Sequence, residues 1–174
     1  MDIKRFKAAL GQGGARPNQF EVELTFPSYV NIIDSAANIL VTGAAMPAST
    51  VNPAIIQYRG REVKLAGERI FDPWTITIVN DTRQSLRRPF EEWLDGMNDR
   101  ETNSSDFLTP RDYQMDITIK HLDRNSEPLP GGMIQIRDAF PINMSEVALQ
   151  YAQNDIIEEF TVTFQYQDYE VLNP

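Results

Sequence analysis

Few residues of this chain have the chemistry of an active site. His121 is the only histidine and cysteine is absent, so there are no thiolate ligands and no second imidazole to share a metal. The serines lie in loops with no obvious histidine partner, which argues against a nucleophilic triad. The acidic pairs Glu91-Glu92 and Glu158-Glu159 would make poor acid–base couples, because adjacent side chains of a helix or strand point apart. We therefore predict neither an enzyme nor a metal or cofactor site.

A group of basic residues lies in "YRGREVKLAGERIFDP", residues 58–73. Its members are Arg59, Arg61, Lys64 and Arg69. They could bind a small anion, the phosphates of a nucleic acid, or acidic residues on a second copy of the chain. Arg61 and Lys64 would lie on opposite faces of a strand, so the charges do not form one phosphate-binding face. Acidic residues are interleaved, and mixed signs suit a self-complementary contact, although a solvated charged hairpin explains the pattern equally well.

The charge is distributed unevenly along the chain. Its 174 residues include 16 basic and 25 acidic side chains, for a formal net charge of −9. Residues 1–100 hold 12 of each sign, whereas residues 101–174 hold 4 basic and 13 acidic ones. A monomeric DNA-binding groove would show the opposite sign. The length and a hydrophobic fraction of 41% predict one globular domain. We expect no membrane insertion, because no apolar run is long enough to span a bilayer.

Alternation of apolar and polar residues predicts a series of β-strands. The clearest are "FEVELTF", residues 20–26, and the final segment, residues 159–167. The buried face of the final segment would consist of Phe160, Val162, Phe164 and Tyr166. A tight reversal at Arg59-Gly60 would join two strand-like runs. Further strands are predicted at residues 36–46, 74–79, 113–120 and 133–140, the last of them ending at "FP".

Two segments have the spacing of helices. The first, residues 2–10, has apolar side chains at helical intervals, namely Ile3, Phe6 and Leu10. The second lies within residues 82–98, follows the capping residues "NDT" and carries an apolar stripe. Pro89 is unfavourable in a helix interior, so we expect a restart there and a regular helix over about 88–98. Because strands dominate, the predicted fold class is mainly β, an antiparallel β-sandwich or barrel with one flanking α-helix.

Between residues 15 and 98 a series of landmarks occurs in order. They are Arg16-Pro17-Asn18, Pro47, Ala66-Gly67-Glu68-Arg69, Phe71, Trp74-Thr75-Ile76-Thr77, Asn80-Asp81, Phe90 and Trp93. This order resembles the major tail tube proteins of contractile-tailed bacteriophages, which are related to the tube proteins of contractile bacteriocins and type VI secretion. The later segment "FPINMSEV" and the final strand match more weakly. Pro89 and the loop of residues 99–112 depart from the family pattern.

The resemblance implies a structural virion protein with a single tail tube domain over residues 1–174. Six copies would form a ring whose sheets join around a channel, and rings would stack into a tube inside a contractile sheath. DNA would pass transiently and non-specifically down the channel. Implied partners are other copies of the chain, the tail sheath protein, a baseplate tube initiator and a tape measure protein in the lumen. Assembly would take place in the host cytoplasm.

The resemblance also implies an N-terminal arm, residues 1–14, and three contact surfaces. A protruding hairpin, residues 53–66, would reach the next ring or subunit through Tyr58, Arg59, Arg61, Glu62 and Lys64. The lumen-facing candidates, which lie on polar strand faces, are Glu21, Glu23, Asp116 and Glu159. The helix would turn its acidic residues toward the sheath, namely Glu91, Glu92 and Asp95.

Two alternatives stay open at this point. A tube-initiating or completion protein of the tail or baseplate would share the fold, although a short chain without an extra domain favours the repeating tube subunit. A monomeric β-sandwich module that binds a sugar or peptide would need an exposed aromatic platform. The candidates for such a platform are Tyr151, Tyr166 and Tyr169.

Overall fold

The structure is a computed structural model that describes residues 2–10, 13–32, 37–105, 109–152 and 155–172. The strands are β1 (Phe20–Glu23), β2 (Val41–Ala44), β3 (Ser49–Tyr58), β4 (Arg61–Phe71), β5 (Trp74–Val79), β6 (Met115–Leu122), β7 (Pro128–Met144), β8 (Glu159–Gln165) and β9 (Asp168–Leu172). The α-helices are α1 (Ile3–Ala9) and α2 (Arg87–Met97), and short 3-10 helices cover Ala37–Leu40 and Pro110–Asp112. In these ranges, neither α-helix is long and apolar enough to cross a membrane.

A seven-stranded antiparallel sheet forms the body, in the order β1-β6-β7-β8-β5-β2 with β9 paired to β7. The first part of β7 pairs with β6 and β9, and its end pairs with β8. Between them, Asp138 has a φ of 53° and donates its N–H to the Asp116 carboxylate at 3.1 Å, a bulge that bends the strand. We refer to β1, β6, β9 and the start of β7 as the first half-sheet. The second half-sheet comprises β2, β5, β8 and the end of β7.

The apolar faces of the two half-sheets meet in one hydrophobic core. Its most deeply buried strand residues are Val22, Ile76, Ile78, Ile117, Ile136, Phe160, Val162 and Phe164. Each of them lies at a position that the alternating pattern assigns to an apolar face. Burial of each large side chain contributes about 1.5–3 kcal/mol. The predicted mainly β, antiparallel architecture is therefore confirmed.

Helix α2 covers this core with two aromatic side chains. Phe90 and Trp93 are 0% exposed, and their rings lie 5.8 and 6.2 Å from the ring of Phe164. The Trp93 indole donates to the Tyr113 carbonyl at 2.8 Å. The Tyr29 hydroxyl donates to the Trp93 carbonyl at 3.0 Å, and burial raises the pKa of Tyr29. The helix is thus joined to the sheet body by both apolar packing and hydrogen bonds.

The helix is shorter than the predicted range of residues 82–98. It begins at Arg87, which puts Pro89 in the first turn, where a missing N–H costs no hydrogen bond. The preceding turn is held by Asp81, whose carboxylate accepts from the N–H and hydroxyl of Ser85 at 2.6 and 2.8 Å. These hydrogen bonds lower the pKa of Asp81. The helix thus begins just before Pro89 rather than restarting there, and its N-cap, Leu86, has no side-chain capping hydrogen bond, so the predicted capping by residues 80–82 is not observed.

The strand boundaries differ from the sequence prediction at several points. Residues 37–40 form a 3-10 helix rather than part of a strand. β7 does not end at "FP", because Pro141 lies at a register irregularity opposite Phe164 and the strand continues to Met144. β9 is missing from the prediction, because its residues pair with the distant β7. Parts of the predicted arm, second strand and polar loop lie outside the described residues, namely residues 1, 11, 12, 36 and 106–108.

Gly96 of α2 faces the ring of Tyr29. A Cβ added at Gly96 would lie 2.8 Å from Tyr29 Cζ, inside van der Waals distance, and the Tyr29 hydroxyl bond to Trp93 resists a shift of the ring. We expect Gly96→Ala to destabilise the protein by about 1–3 kcal/mol through overpacking. Helix propensity alone would favour alanine by about 1 kcal/mol.

Urea unfolding measures this effect directly. In a Tyr29→Ala background the same Gly96→Ala change should become stabilising, because the obstructing ring is gone. A Gly96→Ala protein that is as stable as the unmodified chain would contradict the prediction.

Candidate assembly surfaces

The most exposed element is the hairpin of β3 and β4, which forms a two-stranded sheet of its own. Its two-residue turn has positive φ at Arg59 (48°) and Gly60 (79°), a geometry that matches the twist of the flanking strands. The Arg59 guanidinium lies 5.5 Å from the centre of the Tyr58 ring. The hairpin extends over residues 49–71, well beyond the predicted 53–66, because β3 and β4 stay paired down to Ser49 and Phe71.

Directly opposite residues of an antiparallel pair share a face, so the register defines two faces of the hairpin tip. We name the first the apolar hairpin face; its residues are Ala54, Ile56, Tyr58, Arg61, Val63 and Leu65. The other face has mixed chemistry, with Pro53, Ile55, Gln57, Glu62, Lys64 and Ala66. Every residue of both strands is exposed except the two at the base. An exposed apolar face is unusual for a strand pair in water, and such faces are typical of interaction surfaces.

The base of the hairpin is attached to the body by aromatic contacts. The ring of Phe71 lies 5.9 Å from that of Tyr166 and 5.7 Å from that of Tyr169. Above the base, Gly67 lies at a register shift, and a Cβ added there would meet the Asn52 carbonyl oxygen at 2.5 Å. A two-stranded hairpin is at best marginally stable alone in water. The tip therefore gains stability when another surface covers it.

The structure brings the predicted contact residues together at this tip. Tyr58 and Arg61 are directly opposite, as are Gln57 and Glu62, and the Gln57 amide donates to the Glu62 carboxylate at 3.2 Å. The sequence prediction was based on charge and therefore missed the apolar residues of the tip. They are Ile56, Val63 and Leu65, and the signal for them was the alternation that puts them on the face of Arg61.

The polar side of the first half-sheet carries three of the four lumen-facing candidates. Glu21 and Glu23 lie in β1 beside Lys120 of β6, which forms ion pairs with both carboxylates. The hydrogen bond to Glu23 raises the pKa of Lys120. Asp116, also in β6, accepts from the Gln135 amide at 2.9 Å.

The same polar side continues onto β9. Arg137 of β7 pairs with both Asp168 and Glu170. We name this surface the acidic sheet face; its charged residues are Glu21, Glu23, Asp116, Lys120, Arg137, Asp168 and Glu170. Five carboxylates against two cations leave it net negative. Glu159, the fourth candidate, is not part of it, because it begins β8 in the second half-sheet, opposite Val79.

The acidic residues of α2 all have partners within the chain. Glu91 pairs with Arg87 at 3.2 Å. The Glu92 carboxylate accepts from the backbone N–H of Asn31 at 2.8 Å. Asp95 accepts two hydrogen bonds from the Arg100 guanidinium, at 2.5 and 2.8 Å, and this contact raises the pKa of Arg100. Glu91 and Asp95 are therefore paired with cations of the same chain, whereas Glu92 keeps its negative charge.

The residues considered for other functions do not form a site. His121 Nε2 is 2.9 Å from the Arg16 carbonyl, a structural contact. The described residues contain no group of three histidine or carboxylate side chains able to hold a metal. Tyr166 is buried and bonds to the Ala48 carbonyl at 3.3 Å, whereas Tyr151 is fully exposed. The tyrosines thus form no common platform for a sugar or peptide.

The fold is similar to chains of two solved assemblies. A chain of the six-fold symmetrised baseplate of the anti-feeding prophage superimposes with a TM-score of 0.67, covering 92% of this chain and 97% of that one, at 18% identity. A chain of the sheath–tube complex of the extracellular contractile injection system PVC has a TM-score of 0.57, covering 95% and 97%, at 13% identity. The fold is therefore tail-tube-like.

The sequence identifies the family. The chain belongs to the phage tail tube protein family, whose model matches residues 15–172. It is 27% identical to the tail tube protein gp19 of Enterobacteria phage T4 over 152 residues, 86% of each chain. It is 24% identical to the tail tube protein of Serratia phage KSP90 over 168 residues, which are 94% of this chain and 93% of that one. The protein is a structural, non-enzymatic tail tube component of the virion.

Proposed function

We propose that six copies of this chain form a ring and that rings stack into a tube with a channel for the genome. The observation that carries the proposal is the hairpin, whose apolar face is exposed along most of its length. Exposed apolar surface and open strand edges favour association with further copies. The main sheet of the described chain also has open edges at β1 and β2, through which neighbouring sheets can continue around a channel.

Light scattering combined with negative-stain electron microscopy of the purified protein tests the proposal. We expect the mass of six copies or a multiple of it, and rings or hollow tubes with six-fold end views. A strict monomer that also fails to extend a preformed tube end would contradict the proposal. If the chain extends such ends but never starts a tube, a separate baseplate initiator is required.

We assign the inter-ring or inter-subunit contact to the hairpin tip, with Tyr58, Arg59, Arg61, Glu62 and Lys64. Arg61 is exposed and has no ion pair with another described residue, so its charge is free for an acid on the next copy. Arg61→Glu should raise the critical concentration for polymerisation about fivefold, the equivalent of about 1 kcal/mol for an exposed ion pair.

The matched control is Arg124→Glu, which makes the same charge change in the exposed turn between β6 and β7. Both variants should melt at the temperature of the unmodified protomer. The loss in Arg61→Glu should shrink at high salt, because screening weakens exposed charge pairs. Tubes that form equally well from Arg61→Glu would remove Arg61 from the contact.

We propose that Glu21, Glu23, Asp116 and Glu159 face the channel, where negative charge lets the DNA backbone slide rather than bind. The net negative charge of the acidic sheet face supports this role for the first three. Lysine at Glu21, Glu23 and Asp116 should slow DNA release from assembled particles, most strongly at low salt, because each phosphate contact releases counterions.

DNA release from particles with variant tubes measures this effect in real time. Glu159→Lys is scored separately, since Glu159 lies in the other half-sheet, and Glu127→Lys in an exposed turn serves as the control. Release at the unmodified rate from the triple lysine variant would contradict the lumen assignment.

We further propose that the outer side of α2, with Glu91, Glu92 and Asp95, meets the sheath, and that the tape measure protein occupies the lumen during assembly. The proposal is supported by similar folds in structures described as a PVC sheath–tube complex and as an anti-feeding prophage baseplate. Because one of these similar chains belongs to a baseplate, a tube-initiating role is the second candidate function. Self-polymerisation of the purified chain into long tubes would favour the repeating subunit over an initiator.

A further inference from the structure

Helix α1 has an apolar stripe that nothing in the described chain covers. Ile3, Phe6 and Leu10 lie at intervals of three and four residues, on one side of the helix. None of the seven residues of α1 is buried, and Phe6 is 65% exposed. Lys4 and Lys7 flank the stripe, and neither forms an ion pair with another described residue. The helix therefore presents an apolar stripe with free positive charge beside it.

A cleft with the opposite charge lies in the connection between β7 and β8. Its cavity of about 1010 Å³ is lined by residues 147–151 and 155–159. Four large apolar residues of this lining are exposed, namely Leu149, Tyr151, Ile156 and Ile157. Three carboxylates complete it, those of Asp155, Glu158 and Glu159, and the lining contains no basic residue. We name it the acidic cleft.

The walls of the cleft are attached to their own body at the two ends of the connection and through Val147, which packs against the core. At its ends, the Ser145 N–H donates to the Thr161 carbonyl at 2.9 Å and the Asn80 N–H donates to the Glu158 carbonyl at 2.8 Å. Between these anchors, residues 146–152 and 155–157 form no hydrogen bond with any other described residue. A loop with large apolar side chains and few internal contacts costs free energy to hold open in water. Such a loop is stabilised when an apolar surface fills it.

We propose that α1 of one copy docks into the acidic cleft of a neighbouring copy, with the apolar stripe inward and Lys4 and Lys7 beside the carboxylates of Asp155 and Glu158. Apolar surface meets apolar surface, and the charge signs are complementary. The contact joins two different patches of the chain, so it is a head-to-tail contact that closes when a ring closes. It rests on the proposed ring assembly and identifies a second contact in it, separate from the hairpin.

The second copy fits better than the other possible occupants of these surfaces. Within one chain, α1 remains exposed although the cleft is present. A basic amphipathic helix can also lie on an anionic membrane, but that would leave the cleft uncovered. In a closed ring, every helix finds one cleft and every cleft one helix, so both apolar surfaces are buried together.

Cysteine cross-linking tests the contact, because the unmodified chain has no cysteine. Phe6→Cys and Tyr151→Cys are combined in one chain, which is assembled and then oxidised. We expect a ladder of disulfide-linked multimers, with a linked fraction at least about tenfold above a control pair, since docking raises the effective concentration of one thiol at the other. The control combines Phe6→Cys with Ile39→Cys, at a residue that is 87% exposed and outside the cleft.

Charge exchange provides an independent test. Lys4→Glu with Lys7→Glu should raise the critical concentration for assembly, and so should Asp155→Lys with Glu158→Lys. When all four changes are combined, at least half of the lost assembly should be restored, because the opposite charges face each other again. If the charges act only in a general way, the effects of the two double variants should add instead.

Each remaining outcome decides against the proposal in a distinguishable way. Tubes without cross-links from Phe6→Cys with Tyr151→Cys overturn the docking and leave the proposed function intact. Cross-links only within one chain assign the cleft to the chain's own helix. Binding of α1 to vesicles of anionic phospholipid, abolished by Phe6→Ser while tube formation persists, assigns the helix to a membrane. A chain that does not assemble, does not extend a preformed tube end and does not cross-link contradicts both proposals.

Discussion

Replacement of Ile56 and Val63 by serine should abolish tube formation and leave the protomer folded. The two side chains are directly opposite on the apolar hairpin face and are 51% and 44% exposed in the single chain. If a neighbouring copy covers these two side chains, their replacement by serine weakens the association free energy by about 3 kcal/mol per contact. That corresponds to an association constant about a hundredfold lower for each subunit added. A tube made of many such contacts would not form at ordinary protein concentrations.

The protomer should tolerate these changes, because the tip makes no contribution to the core. Sedimentation and electron microscopy measure assembly, and thermal unfolding measures the protomer. The control variant, Ile39→Ser, removes a similar apolar side chain from a site that is 87% exposed; it should assemble normally. Normal tubes from the double variant would show that the apolar hairpin face is not an assembly contact. A large fall in melting temperature would show instead that the tip packs on its own body.

Replacement of Trp93 by alanine should have the largest effect on the stability of the protomer. Its ring lies 5.5 Å from Phe26, 6.2 Å from Phe90 and 6.2 Å from Phe164. Its N–H satisfies the Tyr113 carbonyl. Removal of a fully buried tryptophan leaves a cavity and costs about 3–5 kcal/mol. For a chain of this size, that corresponds to a fall in melting temperature of about 10 °C.

Urea unfolding measures this loss. It is carried out in the Ile56→Ser, Val63→Ser background, which should not assemble, so that the unfolding transition is that of a monomer and can be treated as two-state. Trp93→Phe is the matched variant, because it keeps an aromatic ring and loses the hydrogen bond. It should cost less than Trp93→Ala, about 1–3 kcal/mol for the loss of one buried hydrogen bond. Equal losses for the two variants would mean that the hydrogen bond rather than the packing dominates. A loss below 1 kcal/mol in Trp93→Ala would contradict the assignment of Trp93 to the core.

The two predictions separate the stability of the protomer from the stability of the assembly. Trp93 lies in the core and should act on folding, whereas Ile56 and Val63 are exposed and should act on association. A tube protein needs a stable protomer as well as a stable assembly, because the folded protomer must stay in solution until it adds to the end of a tube. The two groups of residues do not contact each other, so their effects should be additive in a combined variant.

The sequence by itself determined the faces of the individual elements. Alternation assigned Ile76, Ile78, Val162 and Phe164 to buried strand faces, and all four are buried. Proline chemistry located the start of α2, and the Arg59-Gly60 pair located the hairpin turn. These are local properties, because side-chain direction and allowed backbone angles depend on a few neighbouring residues. The ordered landmarks also identified the family, whose model matches residues 15–172.

Only the tertiary structure decided how the elements meet. β7 passes Pro141 and serves both half-sheets because its partners, β6, β8 and β9, are distant in sequence. Those pairings separate Glu159 from the other lumen-facing candidates. A separate long-range contact brings the backbone N–H of Asn31 to the Glu92 carboxylate of α2. They also leave the apolar hairpin face and the acidic cleft uncovered. The physical reason is that register, ion-pair partners and exposure depend on contacts between residues far apart in the chain, and a local pattern carries no information about them.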